Sequence, residues 1–82
     1  MHDPIQYLCG IEDAEKIRSE ALAYNVKILS VRHVPFTDGS SKPQFTVEVD
    51  GVRGFLVPAS DEAKRRQRLH GRYLKPYNWV RS

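Results

Sequence analysis

Phe45-Thr46-Val47-Glu48-Val49-Asp50-Gly51-Val52-Arg53-Gly54-Phe55-Leu56-Val57 is the stretch whose reading decides the fold. Two runs rich in β-branched and aromatic residues flank Asp50-Gly51. An Asp-Gly pair in that position is the strongest short-range signal for a two-residue type I′ hairpin, whose central residues both need positive φ. Such a turn also sets the register. Val49 must face Val52, Glu48 must face Arg53, Val47 Gly54, Thr46 Phe55, and Phe45 Leu56. Side chains alternate along a strand, so Phe45, Val47, Val49, Val52 and Leu56 share one face, the core face. Glu48 opposite Arg53 on the other face is an opposite-charge cross-strand pair. Strands are expected over 44–50 and 52–57. The second face also carries Phe55 and Val57, and the C-terminal segment is expected to fold back over them, because Leu74, Tyr77 and Trp79 need burial.

Upstream, 26–34 is rich in β-branched residues and reads as a third strand. Ile28 and Leu29 are adjacent and apolar, which requires either cover on both faces or a bulge that resets the alternation. Residues 35–43, with Asp38-Gly39-Ser40-Ser41, read as a loop. Before the strand, 12–24 reads as a helix: its first turn is acidic, and Ala14, Ile17, Ala21 and Tyr24 recur at helical spacing with Leu22 widening the stripe. Asn25 is suited to the left-handed residue that closes a helix. Asp3-Pro4 reads as an N-cap and first helical residue of a short turn over 3–9.

Downstream, Pro58 ends the hairpin, and Ser60 is placed to cap a helix over 61–70 that Gly71 stops. Between Asp61 and His70 only Ala63 and Leu69 are apolar, so this helix gains little from packing and is expected to be peripheral. An aromatic tail, 72–82, follows. The predicted fold is therefore α+β: a small single domain with a helix, a three-stranded antiparallel sheet and a basic C-terminal helix, in αβββα order.

Charge is segregated along the chain. Of thirteen Lys and Arg, seven lie in the last nineteen residues, which contain none of the ten Asp and Glu. An oriented field of this kind draws anionic partners whatever the fold beneath it. Guanidinium and ammonium groups neutralise phosphates and release counterions, and aromatic rings between them can stack on unpaired bases. Lys64, Arg65, Arg66, Arg68, Arg72 and Lys75 are accordingly the expected phosphate-binding residues, with Tyr73, Tyr77 and Trp79 as stacking groups. The opposing reading is structural: solvated cations, and rings buried beneath a snorkelling basic shell.

The element order looks like that of double-stranded RNA-binding domains. Pro43-Gln44-Phe45-Thr46-Val47-Glu48-Val49 is similar to that family's second strand, and Ser60-Asp61-Glu62-Ala63-Lys64-Arg65-Arg66 sits where the family carries its basic second-helix start. The resemblance implies that Lys64 and Arg65 meet phosphates across a groove of duplex RNA. The chain departs from it in lacking an alanine-rich face on that helix and a His-bearing loop after the first strand. From Val26 onward the order is also similar to the arm-binding domains of phage-type integrases, although Glu48 on the outer face does not favour a sheet seated in a DNA groove.

Catalysis finds little support. His2, His33 and His70 are scattered, with no Cys or carboxylate at metal-ligand spacing, so no metal or cofactor is expected. His33 and Asp38 are near enough in sequence to meet, but a structural hydrogen bond is the ordinary outcome of such a pair. A small basic nuclease using His33 or His70 is a minor alternative. The single Cys9 lies in an apolar patch and reads as buried; with no signal peptide and no apolar run of membrane length, a cytoplasmic location is expected. The leading expectation is a non-enzymatic nucleic-acid-binding module. The main rival is a small adaptor or inhibitor docking on an acidic protein surface, of the kind phages and plasmids direct at host proteins. A homodimer through an open strand edge is also compatible with the chain.

Overall fold

The computed structural model describes residues 3–37, 39–60, 65 and 75–82. Two helices, α1 (Pro4–Cys9) and α2 (Ala14–Ala23), precede four strands: β1 (Lys27–Pro35), β2 (Ser41–Val49), β3 (Val52–Pro58) and β4 (Tyr77–Arg81). The strands form one antiparallel sheet in the order β1-β2-β3-β4. The architecture is α+β.

The central hairpin follows from its turn chemistry. Asp50 and Gly51 have φ of 50° and 77°, both positive as a type I′ turn requires. The five expected pairs, from Val49 with Val52 to Phe45 with Leu56, are all present. Phe45, Val47 and Leu56 are fully buried, each side chain contributing roughly 1.5–3 kcal/mol by leaving water. On the opposite face Arg53 Nη2 lies 3.7 Å from Glu48 Oε2, a long contact between an exposed and a half-buried side chain that contributes little to stability.

The first strand resolves its double apolar step by a bulge. Ile28 pairs with Val47 and Ser30 with Thr46, leaving Leu29 as the extra residue. The bulge lets Ile28 and Val31, three positions apart, both turn to the core face. The expected loop over 35–43 is shorter. Pairing runs on to Pro35 with Ser41, and the Phe36 amide donates to the Ser40 carbonyl at 2.8 Å. Pro43 is accommodated because it pairs with His33 of β1, while pairing with β3 begins only at Phe45.

Both helices lie on the core face. The Asp3 carboxylate accepts from the amide of Ile5 at 3.0 Å, with Pro4 in the first turn. Helix α2 begins two residues later than expected, because Asp13 is its cap: Oδ1 accepts from the Glu15 amide at 2.9 Å. Ile17 and Ala21 point inward, whereas Leu22, expected to widen the stripe, is 81% exposed. Asn25 closes the helix with φ of 59°. The Val26 amide donates to the Ala21 carbonyl at 2.9 Å and the Asn25 amide to that of Leu22. These two bonds form a Schellman motif, and its hydrophobic contact joins the buried Ala21 and Val26.

The C-terminus departs from the three-stranded expectation. Tyr77–Arg81 is a fourth strand that pairs Phe55 with Val80 and Leu56 with Trp79. The tail therefore runs beside β3 rather than over its outer face. Strand pairing satisfies backbone groups along β3, and alternation turns Tyr77 and Trp79 to the core face while Val80 comes alongside Phe55. With four strands, the αβββα order does not hold, and the basis for likening the chain to double-stranded RNA-binding domains goes with it. The helix expected over 61–70 lies outside the described residues apart from Arg65, as does 72–74 of the tail.

Candidate nucleic-acid interface

The fourth strand changes what the basic run is. Residues 60–75 connect two neighbouring antiparallel strands, since β3 ends at Pro58 and β4 begins at Tyr77. The Ala59 amide donates to the Pro76 carbonyl at 2.9 Å, closing the connection at its base. Six basic residues fall within it, Lys64, Arg65, Arg66, Arg68, Arg72 and Lys75, against two acids, Asp61 and Glu62. The connection leaves and re-enters the sheet at one place.

Arg65 is described and exposed. Lys64, Arg66, Arg68, Arg72 and Tyr73 lie outside the described residues. Lys75 is at the base, where Nζ donates to Gln6 Oε1 at 2.6 Å and approaches the Gln6 carbonyl at 3.5 Å. That contact ties the end of the connection to α1, so Lys75 has structural work besides any phosphate contact.

Two expected stacking groups are accounted for by the fold. Tyr77 is 2% exposed, and its ring centroid lies 6.1 Å from that of Phe45 at 52°. A ring so enclosed cannot stack on a base, and burial, with Glu12 nearby, pushes its hydroxyl above the usual 10.0. Trp79 is half-buried against the core, with its indole across Gly54. The sequence signal for both was present in Tyr77-Asn78-Trp79-Val80-Arg81, where the two aromatic residues stand two positions apart and so share one face of a strand.

Sequence reasoning passed over a second group of cations at the other edge of the sheet. Lys27 and Arg32 are exposed on β1, and Arg18 of α2 lies 5.9 Å from the centroid of the Phe45 ring. Arg81, the seventh cation of the basic tail, is exposed on β4 opposite Gly54.

For catalysis, His33 is exposed on β1 and Asp38 lies outside the described residues, as do His2 and His70. Among the described residues no three His, Cys, Asp or Glu side chains are gathered closely enough to hold a metal ion. Cys9 is 1% exposed. Burial raises its thiol above the usual 9.0, with Lys75 opposing and Asp3 adding to the rise. A protonated thiol out of reach of solvent is a packing group, not a nucleophile. No helix among the described residues is long and apolar enough to cross a membrane. No family model, curated protein or solved structure matches the chain.

Proposed function

We propose that the protein is a non-enzymatic module that binds nucleic acid through the basic connection between β3 and β4. The observation that carries this reading is the closure of that connection: six cations are held in one segment whose two ends are joined by the Ala59–Pro76 hydrogen bond. Tethering both ends reduces the entropy lost when a basic segment settles on a polyanion. With Tyr77 in the core and Trp79 packed over Gly54, recognition rests on charge more than on ring stacking. Lys64, Arg65, Arg66, Arg68 and Arg72 are the phosphate-binding residues, with Lys75 a weaker contributor at the base. The buried, lone Cys9 supports a reducing compartment such as the cytoplasm.

Fluorescence anisotropy with labelled twenty-nucleotide single strands and duplexes, at salt from 50 to 200 mM, tests the reading. Binding should weaken linearly on a log–log plot, with a slope of about −0.9 for each phosphate neutralised on duplex DNA. The double charge reversal Arg65→Glu with Arg66→Glu should abolish it. Absence of binding at the lowest salt, or binding indifferent to that reversal, overturns the proposal.

A further inference from the structure

Beside the exposed edge of β1, at the sheet margin opposite β4, the C-terminal end of α2 and the start of β1 enclose an open groove of about 660 Å³. Its apolar lining includes Leu22 and Leu29, which are 81% and 43% exposed, together with Ile28. Two cations, Arg18 and Lys27, line it and no carboxylate does. We infer that this edge docks an extended acidic segment of a partner protein, which adds to the sheet as a fifth strand alongside β1 and places an apolar side chain in the groove. This surface is separate from the basic connection and does not depend on its binding nucleic acid.

Three observations converge on that occupant. First, among the described residues β1 is paired on one side only, by β2. An open edge offers a row of backbone donors and acceptors, and strand addition is the standard way an extended peptide uses them. Second, the bulge at Leu29 turns an apolar side chain into the groove where a regular strand would have sent it to the outer face. Exposed Leu22 and Leu29 on either wall make a pocket for a side chain of the added strand. Third, the edge strand carries cations and no acid of its own, the nearest cross-strand carboxylate being Glu48 of β2 opposite Lys27. Between Glu20 and Asp38 the sequence has no carboxylate, while Lys27 and Arg32 stand exposed on β1 and Arg18 beside its start.

Charge also decides against a second copy of the chain. In the register that sets Lys27 of one copy opposite Arg32 of the other, antiparallel pairing of β1 with itself would bring like charges together with no carboxylate on either strand, which is destabilising. An acidic strand meets the same cations favourably. The width of the four-stranded sheet, with strands about 4.8 Å apart, separates this edge from β4 by about 14 Å, so both surfaces can be occupied at once.

A phage-displayed library of random decapeptides, panned against the full chain, tests the inference. Enriched peptides, made synthetically, should alternate acidic and apolar residues and lack central proline. Their amide chemical-shift changes on the chain should centre on 22–35. The variants Leu22→Ser and Lys27→Glu, both at exposed positions, should keep the wild-type spectrum elsewhere and weaken peptide binding at least about tenfold each. Enrichment of basic or patternless peptides, shifts centred on 77–81, or affinity unchanged in both variants would overturn it. So would a concentration-dependent dimer whose interface shifts fall on β1, or an oligonucleotide that shifts 22–35 in place of the basic connection.

Discussion

Trp79 lies across Gly54, and the indole fills the space a side chain at position 54 would need. A Cβ built there would come within 2.7 Å of Trp79 Cζ2 and of the Val80 carbonyl oxygen. The two residues are on neighbouring strands, with Leu56 opposite Trp79 and Arg81 opposite Gly54. A glycine inside a strand costs stability through its unfolded-state freedom, and here that cost secures the close approach of β4. Because the carbonyl belongs to the backbone, no rotamer change of Trp79 alone relieves the contact.

Gly54→Ala should therefore destabilise the fold, by about 1–3 kcal/mol, as overpacking of a core position does. The loss should appear as a lower urea midpoint, with shift changes concentrated in 77–82. Trp79→Ala should also destabilise, but in the Gly54→Ala background its additional cost should be smaller, since part of the clash has gone. Strictly additive costs would show that Trp79 and Gly54 do not share the contact.

Asn25 gives a backbone test independent of the sheet. Its φ of 59° lets Val26 reach back to Ala21 and start β1 in the correct direction. Asn25→Gly should leave stability unchanged or raise it slightly. Asn25→Val should cost about 1–2 kcal/mol, because a β-branched residue is strained in the left-handed region. Equal melting temperatures for the two variants would remove Asn25 from the account of how α2 ends.

These two positions also show what the sequence made legible. Where geometry is dictated within four or five residues, the reading succeeds: Asp50-Gly51 sets the turn, the register and the Glu48–Arg53 pair, and Asn25 ends α2, while of the two outcomes open at Ile28-Leu29 the bulge is the one observed. It fails where the deciding contact is distant in sequence. Tyr77–Arg81 alternates as a strand should, but eighteen residues, 59–76, separate it from its partner β3, and no local pattern names that partner. Gly54, unexplained as a member of a hairpin, was the local sign that another chain segment approached closely. Lys75, grouped with the phosphate binders by its charge, is joined to Gln6 across a separation of 69 residues, which no local pattern reveals.

Lys75 and Arg65 should separate accordingly. Arg65 is exposed, so Arg65→Glu should weaken nucleic-acid binding, make its salt slope shallower by one to two phosphate contacts, and leave the melting temperature nearly unchanged. Lys75→Met removes the 2.6 Å bond to Gln6 Oε1 and should cost about 0.5–1.5 kcal/mol of stability with a smaller effect on the slope. Titrations at several salt concentrations, paired with thermal melts, distinguish them. Equal effects on affinity would make Lys75 a phosphate contact first.

The Cys9 thiol provides a pH-dependent readout of the same contact. Burial raises its pKa above the usual 9.0, and Lys75 partly offsets the rise. The neutral thiol is favoured in the folded state, so its contribution to stability is fully present below the unfolded-state pKa and is lost as pH rises from there through the folded value. The stability difference between wild type and Cys9→Ala should thus be constant up to about pH 8 and shrink above about pH 9. In Lys75→Met the offset is gone, and the loss should extend to higher pH. At pH 8 a thiol reagent should label Cys9 only as fast as the protein opens, because the side chain is 1% exposed. Prompt labelling of the folded protein, or a stability difference that grows with pH, would show that Cys9 is neither enclosed nor held neutral by the α1–β4 packing.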